Sequence, residues 1–164
     1  RPLTYPQLVN YVKCDHSLEK ELNLNRSSRT LSDELKEAFE QSIFPNVADT
    51  SKNHLYATIW TAISKAENIM VGDICMYGEP SVAGEVEIGY GTYAEFQQMG
   101  YMTEIVGGFI QWLNAQPLVN SVFASTEKTN TASFKVLEKN GFIKTEESLE
   151  LLTWQRILAE ENKS

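Results

Sequence analysis

Residues 97–103 read Gln-Gln-Met-Gly-Tyr-Met-Thr and lead from an extended stretch into one of helical periodicity. The first amide N–H groups of a helix have no partner inside it. They point the same way, beside roughly half a positive charge from the helix dipole. The amides of Gln97, Gln98, Met99, Gly100, Tyr101, Met102 and Thr103 could therefore hold a phosphate without any basic side chain. Gly100 would let the backbone turn and approach a ligand closely. Taken alone, one glycine before a helix is more often a plain turn. Two other groups could do chemistry. Glu85 and Glu87 share one strand face by the period of two, and partial burial would raise such a carboxyl toward a useful proton-transfer range. Asn130 and Ser133 stand at a helix start, where Asn and Ser are favoured even with no ligand present.

The elements that must position these residues are readable from periodicity. A helix is expected over Tyr5–Lys13, with Leu8, Val9 and Val12 on one side, and a second from Ser32 or Asp33 to Phe44, ended by Pro45. Leu55–Ile63, Ile69–Tyr77 and Glu85–Thr92 read as strands joined by short links, an antiparallel meander. After Gly100, Tyr101, Ile105, Phe109, Trp112 and Leu113 fit one helix face, and Pro117 closes that helix. Val119–Ser125 reads as a strand, and Asn130–Asn140 as a helix stopped by Gly141. Phe142–Lys144 and Leu149–Ile157 are the last strands. This order predicts an α/β domain on a mixed sheet. Trp60, Trp112 and Trp154 are expected to fill the core or edge grooves, while Gly107 and Gly108 inside a helix each cost about 1 kcal/mol relative to alanine.

The 164 residues fit one domain, and 42% apolar with 22% charged residues is ordinary globular composition. The net charge of −8 argues against nucleic acid, which needs clustered Lys and Arg, and suits a cationic partner such as an amine. No apolar run reaches the roughly 20 residues needed to span a bilayer. Cys14 and Cys75 are lone thiols, which points to a reducing cytoplasm, and no cluster of ligand residues suggests a metal.

Two stretches together carry a family resemblance. Glu87-Ile88-Gly89-Tyr90 followed by Gln97-x-x-Gly100-Tyr101-Met102-Thr103-Glu104 resembles the acetyl-CoA motif of the GNAT N-acetyltransferase superfamily. Asn130-x-x-Ser133-x-x-Val136-Leu137-Glu138-Lys139-x-Gly141-Phe142 resembles its second motif, in the form typical of the RimJ/RimL-like branch of ribosomal-protein N-terminal acetyltransferases. Arg1-Pro2-Leu3-Thr4 is similar to the end of that branch's first strand, whose beginning is expected to be missing. The resemblance covers essentially the whole chain, as one domain over residues 1–164. It implies a GNAT-like α/β fold: a mixed, mostly antiparallel sheet flanked by helices and splayed at the cofactor groove. The chain departs from the pattern at Met102, where Gly or Ala is usual, and at Gln98, where glycine is common.

The resemblance implies direct attack of a primary amine on the thioester of acetyl-CoA. That needs a neutral amine, a polarised carbonyl and a proton for the leaving thiolate. The backbone of Gly91, Thr92 and Tyr93 would pair with the pantetheine arm. Glu87 is the first candidate base and Glu127 the second. The tyrosine that the wider superfamily often uses as acid is replaced by Leu137; Ser133, one turn earlier, is the branch's usual substitute, and Asn130 would bind the cofactor arm. The acceptor is expected to be a protein N-terminus or a small-molecule amine. A homodimer is left open. A non-catalytic acyl-CoA-binding or sensor domain is the alternative, favoured by the changes at Leu137 and Met102.

Overall fold

The computed structural model describes residues 1–159. Six strands follow the order β1-β2-β3-β4-β6-β5, where β1 is Ile59–Ser64, β2 Ile69–Met76, β3 Glu85–Thr92, β4 Ser121–Glu127, β5 Ile143–Glu147 and β6 Leu151–Ile157. Three of the pairings, β1–β2, β4–β6 and β5–β6, are antiparallel, and β3–β4 is parallel. The α/β class and the mostly antiparallel sheet match the expectation. Among the described residues no helix is long and apolar enough to cross a membrane.

The chain divides into two compact units, Arg1–Glu79 with Tyr90–Gln97, and Pro80–Gly89 with Gln98–Ser164. In the first, α1 (Tyr5–Lys13) starts with a reciprocal capping box between Thr4 and Gln7. Leu8 and Tyr11 turn inward to join Leu3, Leu18, Phe39, Ile59 and Met70 in the core. Pro2 bridges Trp60 in antiparallel fashion, so the opening residues run beside β1. A short helix, α2 (Ser17–Glu21), escaped the sequence reading. So did the course of the next helix. It begins at α3 (Asp33–Ala38), capped by Ser32, widens into a π-turn at Phe39–Ile43, and continues as α4 (Phe44–Ala48). Pro45 therefore does not end it. The Phe44 N–H donates five residues back, to Phe39 O, and the loosened turn accommodates a residue without an N–H. The expected strand over Leu55–Ile63 also begins later. Asn53 caps a 3-10 turn at His54–Tyr56 by accepting from the Leu55 N–H, and pairing starts only at Ile59.

In the second unit, α5 (Tyr101–Asn114) buries Met102, Val106, Phe109, Ile110 and Leu113. α6 (Thr131–Lys139) buries Leu137. Asn140 joins the two helices, its side-chain amide donating to Thr103 O of α5 at 3.1 Å and Val136 O of α6 at 2.8 Å. This accounts for Gly107: a Cβ there would lie 3.1 Å from Asn140 Oδ1. Gly108 has no neighbour within 4 Å of such a Cβ, and nothing in the structure explains it. Trp154 is buried, whereas Trp60 and Trp112 are only half-buried.

Candidate functional site

The turn before α5 is built from two left-handed residues, Gln98 at φ 62° and Gly100 at φ 81°. Glycine takes this conformation freely; a side chain costs about 1–2 kcal/mol there. Gln98, at the position where the motif commonly has glycine, therefore carries strain. Gly100 is the N-cap of α5, and no side chain caps it. Asn130, by contrast, caps α6 through the Ser133 N–H at 3.3 Å. The first ladder bond of α5 runs from the Glu104 N–H to Gly100 O at 3.3 Å, so the amides of Met102 and Thr103 precede the ladder. A Cβ on Gly100 would meet nothing within 4 Å, which leaves the turn open to a ligand. Gln97, Gln98, Met99 and Gly100 are exposed, and Met102 places its side chain in the core. The departure at Met102 thus leaves only its backbone at the turn.

Glu87 is half-buried and Glu85 exposed, so the shared strand face is unevenly covered. Burial raises the Glu87 carboxyl above its ordinary value. β3 runs parallel to β4 over three positions, and Glu87, opposite Phe123, is the last of them. Glu127 is exposed at the end of β4, and its carbonyl accepts from the Asn130 N–H at 3.0 Å. Ser133 is half-buried in the first turn of α6, held to Asn130 as described. Leu137, one turn on, is fully buried. The residue replacing the superfamily's tyrosine is a core residue here.

The acetyltransferase (GNAT) domain family matches residues 10–143. The chain belongs to this family. Its reaction is transfer of acetyl from acetyl-CoA to an amine. A curated relative, the uncharacterized N-acetyltransferase YjdG of Bacillus subtilis (strain 168), is 28% identical over 149 residues, 91% of this chain and 88% of its own. The fold is similar to that of the ribosomal-protein-S5-alanine acetyltransferase of Vibrio fischeri, with a TM-score of 0.68 at 20% identity over 98% of this chain and 92% of that one. It is also similar to RimL, a ribosomal L7/L12 alpha-N-protein acetyltransferase solved with coenzyme A, with a TM-score of 0.67 at 16% identity over 96% and 92%.

In this acetyltransferase, Gly91, Thr92 and Tyr93 lie in the first unit. The Gly91 position is open, with nothing within 4 Å of a Cβ. Thr92 O accepts from Gln97 Nε2 at 3.4 Å. The Tyr93 N–H is already engaged, donating to Val71 O at 2.9 Å, so that amide is not free to polarise a carbonyl. The Tyr93 side chain is anchored too. Its hydroxyl lies 2.9 Å from both Asp73 oxygens, and the Tyr11 hydroxyl donates to Asp73 Oδ2 at 2.5 Å.

Sequence reasoning missed this cluster and what stands behind it. Arg29 lies 4.0 Å over the Tyr11 ring, donates to Tyr11 O, and forms a buried ion pair with Glu19 at 3.5 Å. Glu19 also meets His16 Nδ1 at 2.8 Å. Burial pushes the Asp73 carboxyl up, while the two tyrosine hydroxyls and the Arg29 charge hold it partly back. The same burial, with Asp73 alongside, raises both phenols, so each stays a donor. The available signal was an aspartate inside the apolar run Ile69–Met76: a carboxylate there requires partners.

Proposed function

We propose that the chain acetylates a primary amine by direct attack, with the site divided between binding by backbone and chemistry by two side chains. Acetyl-CoA supplies an acyl thioester and a chain of phosphates. The amides around Gln97–Thr103 would receive the phosphates, with Asn130 contributing at the start of α6. The backbone at Gly91 and Thr92 would align the arm, while Tyr93 holds this segment to β2. Glu87 would accept the proton lost by the amine as the N–C bond forms and the C–S bond breaks. Ser133 would give a hydrogen bond or a proton to the departing thiolate.

The observation that carries this reading is the uncapped, open turn at Gly100, preceding α5 in a chain of this family. An α-amine of pKa roughly 8 is about a tenth neutral at pH 7, whereas a lysine amine of roughly 10.4 is less than a thousandth neutral. A half-buried Glu87 has less to do for the former, which favours a protein N-terminus. The test is release of free CoA, followed with a thiol-reactive dye, on adding peptides of defined N-terminus. Amine-dependent release is expected. Tight acetyl-CoA binding with no release across a broad amine panel would refute the reading.

A further inference from the structure

The first unit holds a cavity of about 800 Å³ that none of the motifs addresses. This is within the usual size of small-ligand sites. α3, the π-turn, the 3-10 turn at His54–Tyr56 and the end of β2 surround it. Its walls are largely apolar, with Leu35, Ala38, Ile43, Ile59 and Met76 contributing. Two carboxylates, Glu34 and Glu79, also line it. One cation does as well, but the Lys52 ammonium is already engaged, donating to Asn46 Oδ1 at 2.7 Å with Asp49 at 3.9 Å.

Glu79 is the fixed charge. Its Oε1 accepts from the Asn53 N–H at 2.8 Å, and among the described residues Oε2 has no hydrogen bond from the protein. Its charge reaches the Tyr56 phenol, which burial and then Glu79 push up. The cavity thus presents an oriented carboxylate beside a neutral hydroxyl and an apolar wall. It also reaches Tyr90 of β3, one residue before Gly91. Tyr90 is thus the chain neighbour of the backbone assigned to the cofactor arm.

We propose that this cavity is the acceptor site and selects a singly charged primary amine borne on an apolar body; Glu79 would hold the ammonium on entry, and the nitrogen would pass its proton to Glu87 before attacking the thioester as a neutral amine. This rests on the acetyl-transfer reading. A polyamine would find a second carboxylate only at the exposed Glu34, and its other ammonium groups would lie against apolar walls or beside Lys52 at a desolvation cost. A sugar amine would find partners for its hydroxyls only where Ser32, Ser42, Asn46 and Asn53 line the cavity, and would leave the others unpaired against the apolar wall. The amine and its apolar neighbour can come from a free small molecule or from a protein N-terminus with an apolar first residue.

The test pairs turnover with direct binding. Leucinamide and 2-phenylethylamine form one arm, peptides beginning with Leu or Asp the second, and spermidine and kanamycin the contrast. Leucinamide and the Leu peptide are expected to show KM values at least tenfold below those of glycinamide and the Asp peptide. A lower KM for the Leu peptide than for leucinamide would assign the protein source, and the reverse the small molecule. Glu79→Gln is expected to raise the amine KM at least tenfold and leave the acetyl-CoA KM unchanged. Ala38→Phe, which fills the cavity from α3, gives a second reading should Glu79→Gln fold poorly. Spermidine or kanamycin as the best acceptor, or an unchanged amine KM in both variants, would overturn the proposal. Calorimetry of leucinamide without acetyl-CoA separates the two readings. Binding that Glu79→Gln weakens, with no CoA release from any amine, removes the reaction and keeps the cavity. Absence of binding, with turnover intact, removes the cavity.

Discussion

Asp73→Ala is the most informative single change in the first unit. It removes the acceptor of two hydroxyls, Tyr11 at 2.5 Å and Tyr93 at 2.9 Å, and Tyr11 is only 2% exposed. Leaving a buried donor without a partner costs about 1–3 kcal/mol, so two such donors set a loss of about 2–6 kcal/mol. Removing a buried carboxyl returns part of this, because its own desolvation disappears. A net loss of about 3 kcal/mol is expected, which for a chain of this size lowers Tm by about 6–12 °C. Asp73→Asn keeps one carbonyl acceptor and should lose about half as much, and Tyr93→Phe, which deletes one donor, about 1–2 kcal/mol. Urea unfolding followed by tryptophan fluorescence measures all three. The pH dependence has a definite sign. The folded state holds the Asp73 proton more tightly than the unfolded state, so between the ordinary and the raised pKa the native state binds more protons. Stability contributed by this group therefore falls as pH rises through that window. Asp73→Asn should flatten that slope. The reasoning fails if Asp73→Ala stays within about 1 kcal/mol of the parent, or gains stability as some buried ion sites do on apolar replacement.

Glu87→Gln should lower kcat by about a hundredfold or more, the usual contribution of a positioned base. Because burial raises the Glu87 carboxyl, the parent's activity should fall on acidification at a pH above the ordinary glutamate range; the variant should lack that limb, and its persistence would assign the base elsewhere. Gly100→Val puts a β-branched residue at φ 81° and is expected to raise the acetyl-CoA KM at least tenfold, whereas Gln98→Gly, at φ 62°, should leave it unchanged or lower it. Equal KM values for both variants and the parent would take the phosphates away from this turn.

Legibility followed the range of the forces. β3 is bounded at Glu85 and Thr92 in sequence and structure alike, and α6 starts after its Asn130 cap and stops before Gly141 at φ 78°. These signals lie within a few residues of one another. The turn at Gly100 and the start of α5 were readable for the same reason: a glycine turn and a helical period are adjacent in sequence. The features that escaped depend on distant partners. Pro45 reads as a stop, but its fate is decided by the π-turn before it. Leu55 has a strand's side chain, but its carbonyl is taken by Trp60 Nε1 at 2.9 Å and its amide by Asn53. Asp73 meets Tyr11 from 62 positions away. Glu79 meets Asn53 across 26, and no spacing rule connects them.

Asn140 also carries a clock. It precedes Gly141, and an asparagine before glycine is the pair that most readily cyclises, its side-chain carbonyl carbon attacked by the next backbone nitrogen to give a succinimide and then aspartate or isoaspartate. Here both reactants are restrained: the side-chain amide is held by Thr103 O and Val136 O, and the Gly141 N–H donates to Glu138 O at 3.1 Å. Ageing at this bond therefore requires the α5–α6 junction to open first. A carboxylate formed there would have no N–H to offer Thr103 O, so each deamidated molecule would lose the tie between α5 and α6. The rate at which the protein gains one negative charge on storage becomes a measure of how often that junction opens.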